Sequence, residues 1–321
     1  MAEFNLIKDY FSALTPARSD VQLGIGDDAA LLQIPQDKVL AVSIDTLVSG
    51  IHFYPDVSPE SLGHKALAVN LSDLAAMGAQ PAWVTLALTL PEVDEPWISA
   101  FCGGFAKLAN GYGVQLVGGD TTLGPLSITV QVHGFVPVGE GLRRSGAQVG
   151  DDIYVTGCLG DAALALYHIE SGGAVDVLDR AYLKRRLERP EPRVEAGLAL
   201  RQMATSAIDI SDGLLADLTH ILQSSGVGAC LELEKIPLSR SVADSLRIED
   251  DWTRVVAGGD DYELCFTLPE VHRMQISELE NQLGLPITRI GYIEEKAGLR
   301  CVKQDGAFWV PEHAGYQHFA P

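Results

Sequence analysis

The chain has 321 residues, of which 47% are hydrophobic and 21% charged, and its formal net charge is −20 at pH 7. These values are typical of a globular protein large enough for two domains, and they exclude a disordered or fibrous chain. The acidic charge also opposes non-specific binding to nucleic acid or to an anionic membrane, since both require basic patches on the protein. An anionic substrate would therefore have to be held by metal ions or by a few local cations.

The cysteines and the N-terminus bear on the cellular compartment. No two of the five cysteines form a C-x-x-C pair, and each lies among apolar residues in the sequence. We therefore expect buried, reduced thiols rather than disulfides or zinc ligands. The first residues carry an acid, Glu3, and no long apolar core, and the chain has no apolar run long enough to span a membrane. We therefore expect no signal peptide and no membrane span, which makes the cytoplasm the default location.

The N-terminal stretch has apolar side chains at helical spacing from Phe4 to Leu14, which predicts an amphipathic helix that Pro16 ends. The segment Gly24–Ala30 follows, in which glycines flank two adjacent aspartates. Adjacent carboxylates repel each other unless a proton, a basic side chain or a metal ion neutralises them. Because no Lys or Arg lies nearby in the sequence, this segment indicates hard divalent cations, most simply Mg²⁺, which prefer oxygen ligands and are commonly shared with substrate phosphates.

Two other interpretations of this segment stay open. Gly24–Ala29 also fits the dinucleotide fingerprint, with Asp45 at the distance of a ribose-binding acid. That fingerprint requires a helix to begin at the glycines, yet Pro35 and Asp37 interrupt the chain before a helix of about 10 residues could form. The two aspartates would also face a pyrophosphate without a cation. The second alternative is an acidic surface turn that binds nothing.

The next strand and loop add polar groups. Residues 39–44 predict a buried strand whose end brings Ser43, the Ile44 carbonyl and Asp45 to one edge of a sheet. His52 follows in a Gly-Ile-His-Phe loop. A lone His is usually structural, but its nearness to the acidic cluster favours a functional role here.

A helix is predicted from Ser58 to Gly78, with Pro59 at its first position. Asn70 and Asp73 are three residues apart and therefore share one face of this helix. An Asp among the apolar residues of such a helix is costly to bury unless it is paired or binds a metal ion.

The rest of the first half predicts a strand over 82–90, a helix over 95–112 that ends at Gly113, and strands over 114–117 and 126–136. The strand at 114–117 runs into Gly118-Gly119-Asp120-Thr121, a turn whose glycines would let backbone N–H groups approach a nucleotide phosphate. Arg143 and Arg144 follow in a glycine-rich connection. They are either solvated linker residues or, for one of them, a contact to a nucleotide phosphate.

The second half predicts strands over 153–156, 207–210 and 264–268, an edge strand over 231–237, and helices over 162–169 and 191–203. Ser211 is a good N-cap for the helix that begins near Leu214, and Asp209 and Asp212 lie beside it. Two acids that flank a cap favour an ion or phosphate site over a plain cap. The segment Gly259–Glu263 again concentrates acid at a strand end, whereas Gly150-Asp151-Asp152 is interpreted as a polar loop.

The pattern contains no G-x-x-x-x-G-K-[ST] loop and no protein-kinase His-Arg-Asp or Asp-Phe-Gly set, so phosphate chemistry here would rest on acids and metals. Seven segments nevertheless occur together in an order and spacing that resemble the thiamine-monophosphate kinase family. One such motif would be weak evidence, but seven over nearly the whole chain are specific. The segments are Gly26–Ala30, Ser43–Thr46, Gly50–Phe53, Asn70–Asp73, Gly118–Thr121, Asp209–Leu214 and Gly258–Leu264.

The resemblance implies the two-domain α/β fold of the PurM-like, or aminoimidazole ribonucleotide synthetase, superfamily. It places an N-terminal domain over residues 1–137, a connection over 138–150 and a C-terminal domain over 151–321. In that fold the N-terminal domain pairs with its copy to form a barrel-like dimer core, so a homodimer is also implied. The strand over 82–90 offers an apolar face on each side of a sheet and is the predicted contact.

The activity implied is transfer of a phosphate from ATP to thiamine monophosphate, which gives thiamine diphosphate and ADP in the final step of thiamine diphosphate biosynthesis. By position in the motifs, the implied Mg²⁺ ligands are Asp28, Ser43, the Ile44 carbonyl, Asp45, Asp73, Asp120, Asp209 and Asp212. The implied ATP contacts are Cys102, Gly119, Asp120, Arg144 and Ser211. The implied thiamine-phosphate contacts are His52, Glu263 and Tyr316, of which the last stands where the family often has Trp.

No dedicated catalytic base is expected, because the acceptor phosphate is already largely ionised near neutral pH. Two alternatives to this kinase stay open. The first is another ATP-dependent synthetase of the same superfamily; a selenophosphate synthetase is disfavoured because it usually needs an early reactive Cys, and no Cys precedes Cys102. The second is a regulator that binds Mg²⁺ and nucleotide without turnover.

Overall fold

The structure is a computed structural model that describes residues 3–172, 177–311, 313, 315 and 316, with the side chains of Glu3 and Phe4 left out. The chain forms two compact units. Unit 1 takes in the residues up to 74 together with 79–140, and unit 2 takes in 75–78 together with the residues from 141 onward. Within the described ranges, none of the helices has the length and apolar character needed to cross a membrane.

From residue 3 onward, unit 1 contains six strands and three helices, of which the first helix continues into a single π-helical turn. The strands are β1 (Val21–Leu23), β2 (Leu31–Leu32), β3 (Lys38–Val48), β4 (Gln80–Leu90), β5 (Gln115–Leu123) and β6 (Ser127–Pro137). The helices are α1 (Glu3–Leu6), followed by the π-helical turn Ile7–Phe11, then α2 (Pro59–Ala76) and α3 (Glu95–Tyr112).

The main sheet of unit 1 has the strand order β3-β6-β4-β5. β6 pairs antiparallel with both β3 and β4, whereas β4 and β5 run parallel and are joined through α3. Trp83 of β4 is almost fully buried and packs edge-on against Phe135 of β6, with ring centroids 5.0 Å apart. Burial of such large apolar side chains fixes which face of the sheet turns inward.

α2 is buried around nearly its whole circumference rather than along a single stripe. Even its polar side chains Ser61, Lys65, Asn70 and Ser72 are buried. A helix of this kind lies inside a protein rather than on its surface, and every polar group on it requires a partner. Polar residues retained in this setting are therefore candidates for function.

Unit 2 contains seven strands, seven α-helices and two short 3₁₀ turns among its described residues. The strands are β7 (Asp152–Thr156), β8 (Ser206–Asp209), β9 (Gly228–Glu232), β10 (Leu264–Leu268), β11 (Ile287–Glu294), β12 (Gly298–Val302) and β13 (Phe308–Trp309). The α-helices are α4 (Asp161–Ser171), α5 (Val177–Glu188), α6 (Val194–Leu200), α7 (Leu214–Ser225), α8 (Arg240–Glu249), α9 (Thr253–Val256) and α10 (Arg273–Leu283). The 3₁₀ turns are Leu233–Lys235 and Glu270–His272.

The sheet of unit 2 has the order β13-β12-β9-β11-β7-β10-β8 and is antiparallel except where β12 runs parallel to β9. Its core is a continuous cluster of buried apolar side chains that includes Ile153 of β7, Leu218 of α7 and Ile290 of β11. β8, which leads to the Asp209–Gly213 segment, is an edge strand of this sheet and pairs with β10.

Several predicted elements are confirmed, and α3 agrees at both ends. It begins after Asp94, whose carboxylate accepts the N–H of Trp97 (3.2 Å), and it ends at Gly113 in the left-handed conformation. Both signals are local in the sequence, which is why the sequence could locate them.

Four predictions about elements are wrong. The N-terminal helix is shorter than predicted and ends in the π-helical turn, and the predicted turn at Gly118–Thr121 is part of β5. The predicted edge strand near residue 231 is β9, which lies between β12 and β11 inside the sheet. Asp151 and Asp152, interpreted as part of a polar loop, are both buried, and Asp152 begins β7.

The errors at β5 and at Asp152 have long-range causes. In β5, parallel pairing with β4 places Gly119 against Leu86. A Cβ atom on Gly119 would collide with the Leu86 carbonyl. Glycine is therefore required here because the two strands approach closely, and not because the chain turns. Asp152 is paired with Arg273 and Arg289, both more than 100 residues away in the sequence. Local patterns carry no information about such partners.

Candidate active site

A polar cluster forms in unit 1 where β3 meets α2. The hydroxyl of Ser43 donates a hydrogen bond to Oδ2 of Asp73 (2.6 Å), and the N–H of Asp45 donates to Oδ1 of Asn70 (3.1 Å). Asn70 is itself oriented by a bond from its Nδ2 to the Ala66 carbonyl (3.0 Å). The alternation of β3 and the helical spacing of α2 thus bring together the residues that the sequence predicted from two separate motifs.

Two carboxylates lie side by side in this cluster. Burial, together with the charge of Asp73 and a hydrogen bond to it, raises the pKa of Asp45 to about 7. Two close acids of this kind are stable when they share a proton or when a cation lies between them. The arrangement therefore suits a divalent cation with oxygen ligands.

A cavity of about 590 Å³ lies beside β4 and β5 in unit 1. Its lining comes mainly from the Gly24–Ala30 segment and from residues 116–121 of β5, with Ile7 and Phe11 adding apolar surface. Asp28, Gly119 and Asp120, predicted from different motifs, therefore lie around one space. Its volume is within the range of small-molecule sites in proteins.

Cys102, a predicted nucleotide contact, is in α3 and is not among the described residues that line this cavity. Its side chain is buried, and burial raises the pKa of the thiol to about 12. The thiol therefore stays protonated at neutral pH and is a poor nucleophile.

His52 lies in the turn that follows β3. The N–H of Val48 donates to Nδ1 of His52 (3.0 Å), so the neutral ring carries its proton on Nε2. The main chain of this turn thereby fixes the orientation of the ring.

In unit 2, the segment Asp209–Gly213 leaves β8 and leads into α7. Asp209 is buried at the end of β8. The prediction that Ser211 is the N-cap is wrong, because α7 begins at Leu214 and its cap is Gly213, without a side-chain hydrogen bond. The N–H groups of residues 211–213 donate instead to Asp217.

Asp217 is a site residue that the sequence did not single out. Burial and the charge of Asp212 raise the pKa of Asp217 to about 7, although hydrogen bonds from three backbone N–H groups act in the opposite direction. An acid in the first turn of a helix, shortly after a Ser-Asp-Gly segment, is a recognisable signal for such a reach-back contact.

A second segment, Gly258–Glu263, runs beside Asp209–Gly213. The N–H of Asp260 donates to the Ser211 carbonyl (2.9 Å), and the N–H of Tyr262 donates to the Ile210 carbonyl (2.8 Å). Asp260 and Tyr262 both have positive φ angles, 68° and 50°, which are strained for residues other than glycine. Such strain, held by the surroundings, is typical of functional segments.

Glu263 is fully buried in a cluster of charged groups. Its carboxylate accepts two hydrogen bonds from Arg193 (2.6 Å each), one from Arg186 (2.9 Å) and one from the Thr156 hydroxyl (2.7 Å). These bonds occupy the carboxylate within unit 2. Gly157 lies so close that a Cβ atom there would collide with it.

The other two predicted contacts of unit 2 lie nearer the surface. Tyr316 is 48% exposed, and its backbone N–H donates to the Asp212 carbonyl (3.0 Å). Arg144 is exposed, and its carbonyl accepts the Ser225 hydroxyl (3.4 Å). Unit 2 therefore brings Ser211, Asp212 and Tyr316 together, and it places Arg144 beside the C-terminal end of α7.

Among the described residues, no group of three or more His, Cys, Asp or Glu side chains forms a ready metal site. Mg²⁺ usually takes one or two carboxylates and completes its shell with water and substrate phosphates. The pair Asp45 and Asp73 with the Ser43 hydroxyl fits that requirement.

Comparisons with known proteins cover almost the whole chain. The AIR synthase related protein N-terminal domain matches residues 26–136, and the corresponding C-terminal domain matches residues 148–304. The thiamine-monophosphate kinase of Escherichia coli strain K12 is 50% identical over 319 residues, which is 99% of this chain and 98% of that protein.

Solved structures show the same similarity. The crystal structure of thiamine-monophosphate kinase from Stenotrophomonas maltophilia K279a has a TM-score of 0.87 and 49% identity, and covers 94% of this chain and 96% of that chain. AaThiL complexed with AMPPCP and TMP has a TM-score of 0.77 and 31% identity, over 92% of each chain. With the fold, the order of the acidic motifs and full-length identity in agreement, the chain belongs to the thiamine-monophosphate kinase family, within the AIR synthase related proteins.

Proposed function

We propose that this chain transfers the γ-phosphoryl group of ATP to thiamine monophosphate and so forms thiamine diphosphate and ADP, the final step of thiamine diphosphate biosynthesis. The observation that carries this proposal is 50% identity to a thiamine-monophosphate kinase over 99% of the chain. A complex of the related AaThiL with AMPPCP, an ATP analogue, and TMP supports both substrates.

The nucleotide is assigned to the unit 1 cavity. Ile7 and Phe11 offer apolar surface for a base, and Gly119 is exposed in the cavity lining, so its backbone can approach a phosphate. Arg144 and Ser211 stay predicted ATP contacts. Cys102 also stays a predicted contact, although it is not among the described residues that line the cavity, and its neutral thiol could only pack against the nucleotide.

Mg²⁺ is the cofactor that we propose, held first by Ser43, Asp45 and Asp73. When bound, the ion neutralises phosphate charge and stabilises the transferring group. With a pKa of about 7, Asp45 is partly protonated at neutral pH, so binding of a cation would release a proton from it. The other proposed ligands are Asp28, the Ile44 carbonyl, Asp120, Asp209 and Asp212.

The thiamine monophosphate contacts are proposed to be His52, Glu263 and Tyr316. The fixed tautomer of His52 places its N–H on Nε2, which can donate to a phosphate oxygen. The half-exposed ring of Tyr316 can pack against an aromatic ring of the substrate. Glu263 is enclosed by arginines and would act through the segment that it anchors.

No side chain has to act as a base. The acceptor is a phosphate oxygen that is already ionised, so the chain's residues need only align the two substrates and keep water from the transferring group. We therefore propose a direct transfer without a covalent enzyme intermediate. The thiols of Cys102 and Cys265 are buried and have raised pKa values, so they are poor nucleophiles.

A homodimer through unit 1 and a cytoplasmic location also belong to the proposal. The sequence predicted a dimer contact through residues 82–90, but β4 is internal to the sheet and mostly buried. We therefore propose a different strand for this contact. Edge strand β3 exposes Leu40, Val42 and Ile44, at 37%, 50% and 57%, on one face of the sheet, and a second copy would cover this apolar face.

The test is incubation of the purified chain with thiamine monophosphate and ATP, with and without Mg²⁺, followed by chromatography of the products. We expect thiamine diphosphate only when all three are present. Full turnover in excess chelator would contradict the role of Mg²⁺, and nucleotide binding without any conversion would favour a regulator instead.

A further inference from the structure

The main chain at the start of α7 has an unusual set of hydrogen-bond partners. The N–H groups of Ser211, Asp212 and Gly213 all donate to one atom, Oδ2 of Asp217, at 3.0, 3.1 and 3.1 Å. Asp217 is only 3% exposed. Three successive N–H groups at a helix N-terminus form a nest that normally binds an anion such as a phosphate. Here the anion is supplied by the chain itself.

The carbonyl groups of the same segment are also used. The Ser211 carbonyl accepts the N–H of Asp260 (2.9 Å), and the Asp212 carbonyl accepts the N–H of Tyr316 (3.0 Å). Both main-chain polar groups of these two residues are therefore engaged within unit 2. Their side chains are what the segment can offer to a ligand.

Gly213 restricts the segment further. Its φ angle is +118°, and a Cβ atom there would lie 2.9 Å from the backbone of Ala257. The turn can therefore neither accept a side chain at this position nor shift toward Ala257 without a clash.

From these contacts we propose that Asp217 is a positioning residue, whose carboxylate holds residues 211–213 so that the Ser211 hydroxyl and the Asp212 carboxylate meet nucleotide and Mg²⁺ in one fixed arrangement. The inference rests on the proposed function for the identity of those ligands. It also means that the N-terminus of α7 is not itself a phosphate site, because its N–H groups are already satisfied.

The test compares two substitutions. Asp217→Ala removes the acceptor and leaves three N–H groups without it, whereas Asp217→Asn keeps an oxygen in the same place. Hydrogen exchange at the amides of residues 211–213 reports the contact directly. We expect exchange about tenfold faster or more in the Ala variant and within about threefold of wild type in the Asn variant.

Steady-state kinetics then distinguish a role of Asp217 in positioning residues 211–213 from a role in the stability of the fold alone. In the Ala variant we expect KM for Mg²⁺-ATP to rise about tenfold or more, with near-normal values in the Asn variant. Asp151→Ala is the matched control, because Asp151 is also buried and accepts a backbone N–H, from Gln148 (2.9 Å), together with the Thr205 hydroxyl (2.6 Å). The control should lower the melting temperature without changing KM or exchange at 211–213.

Three outcomes would overturn the proposal. They are an unchanged KM in the Ala variant, an equal rise of KM in the Asp151→Ala control, and an Asn variant with a KM raised tenfold. The KM of the Asn variant can overturn the proposal even if the Ala variant fails to fold. If wild type makes no thiamine diphosphate, the proposed function fails, while amide exchange and the Mg²⁺-dependent shift in melting temperature still test whether Asp217 positions the segment.

Discussion

At the scale of single residues, the Ser43, Asp45 and Asp73 cluster makes the sharpest prediction. In Asp73→Asn the oxygen that accepts the Ser43 hydroxyl is kept and the negative charge is lost. We expect weaker Mg²⁺ binding and a decrease in kcat/KM on the order of 10², about 2.7 kcal/mol of transition-state stabilisation. Steady-state kinetics over a range of Mg²⁺ concentrations measure this effect.

Asp151→Asn is the control for that substitution, since Asp151 is buried in unit 2 and bonded to Thr205. It should change kcat/KM by no more than a few-fold. Asp212→Asn should behave like Asp73→Asn. Near-normal turnover of the Asp73 and Asp212 variants at low Mg²⁺, with an inactive Asp151 variant, would show that the metal site is misplaced.

A second residue-scale prediction concerns acid stability. Burial by itself would raise the pKa of Asp152, but hydrogen bonds from Arg273 and Arg289 outweigh it and lower that pKa. Near pH 3 to 4 the native state therefore binds fewer protons than the unfolded state. The stabilisation that the Asp152 ion pairs give to the native state is present above the unfolded pKa, about 3.9. It is lost as the pH falls through the folded pKa.

We therefore expect Asp152→Asn to be less stable than wild type at pH 7 and to lose less further stability between about pH 5 and pH 2. Urea denaturation at several pH values measures both effects. Parallel pH profiles for the two proteins would refute this account of the ion pairs.

Sequence reasoning at this scale located most of the acidic residues but not their partners. The motifs gave Asp45 and Asp73, which the fold brings together. They did not give Asp217 as the acceptor for residues 211–213, nor the two arginines that enclose Glu263, since these contacts depend on how helices pack in three dimensions.

At the scale of elements, β5 shows why glycine is required beside the cavity. A Cβ atom on Gly119 would collide with the Leu86 carbonyl of β4, whereas one on Gly118 would be in ordinary contact with the Thr85 methyl group, at 3.9 Å. We expect Gly119→Ala to disturb the pairing of the two strands and to weaken ATP binding at least about tenfold. Gly118→Ala, its neighbour, should bind ATP almost normally.

Isothermal titration with a non-hydrolysable ATP analogue checks this pair. Equal affinities for the two variants would mean that the cavity beside β5 is not the nucleotide site. A shared loss of folding, seen by circular dichroism, would show instead that both glycines serve only the sheet.

Elements with local end signals were predictable, and elements defined by pairing were less so. α3 has an Asp cap and a terminal glycine, and both ends agree with the sequence. β5 and β9 depend on partners elsewhere in the sheets, so one was predicted too short and the other at an edge. Strand order is a property of the whole sheet and leaves little trace in any one segment.

At the scale of the whole molecule, the exposed apolar face of β3 predicts self-association. Val42→Lys and Ile44→Lys would each place a charge on that face. We expect wild type to be a dimer by light scattering at micromolar concentration and the double variant to shift toward monomer. A wild-type monomer under these conditions would count against a dimer through unit 1.

The central claim is direct phosphoryl transfer from ATP to thiamine monophosphate. Phosphorus NMR of a single reaction mixture follows both substrates and every phosphate product at once. The account predicts that each ATP γ-phosphate lost gives one molecule of thiamine diphosphate, so that each of the two thiamine diphosphate signals grows by as much as the ATP γ-signal falls. No orthophosphate should form. Release of orthophosphate while thiamine monophosphate stays unchanged would contradict it.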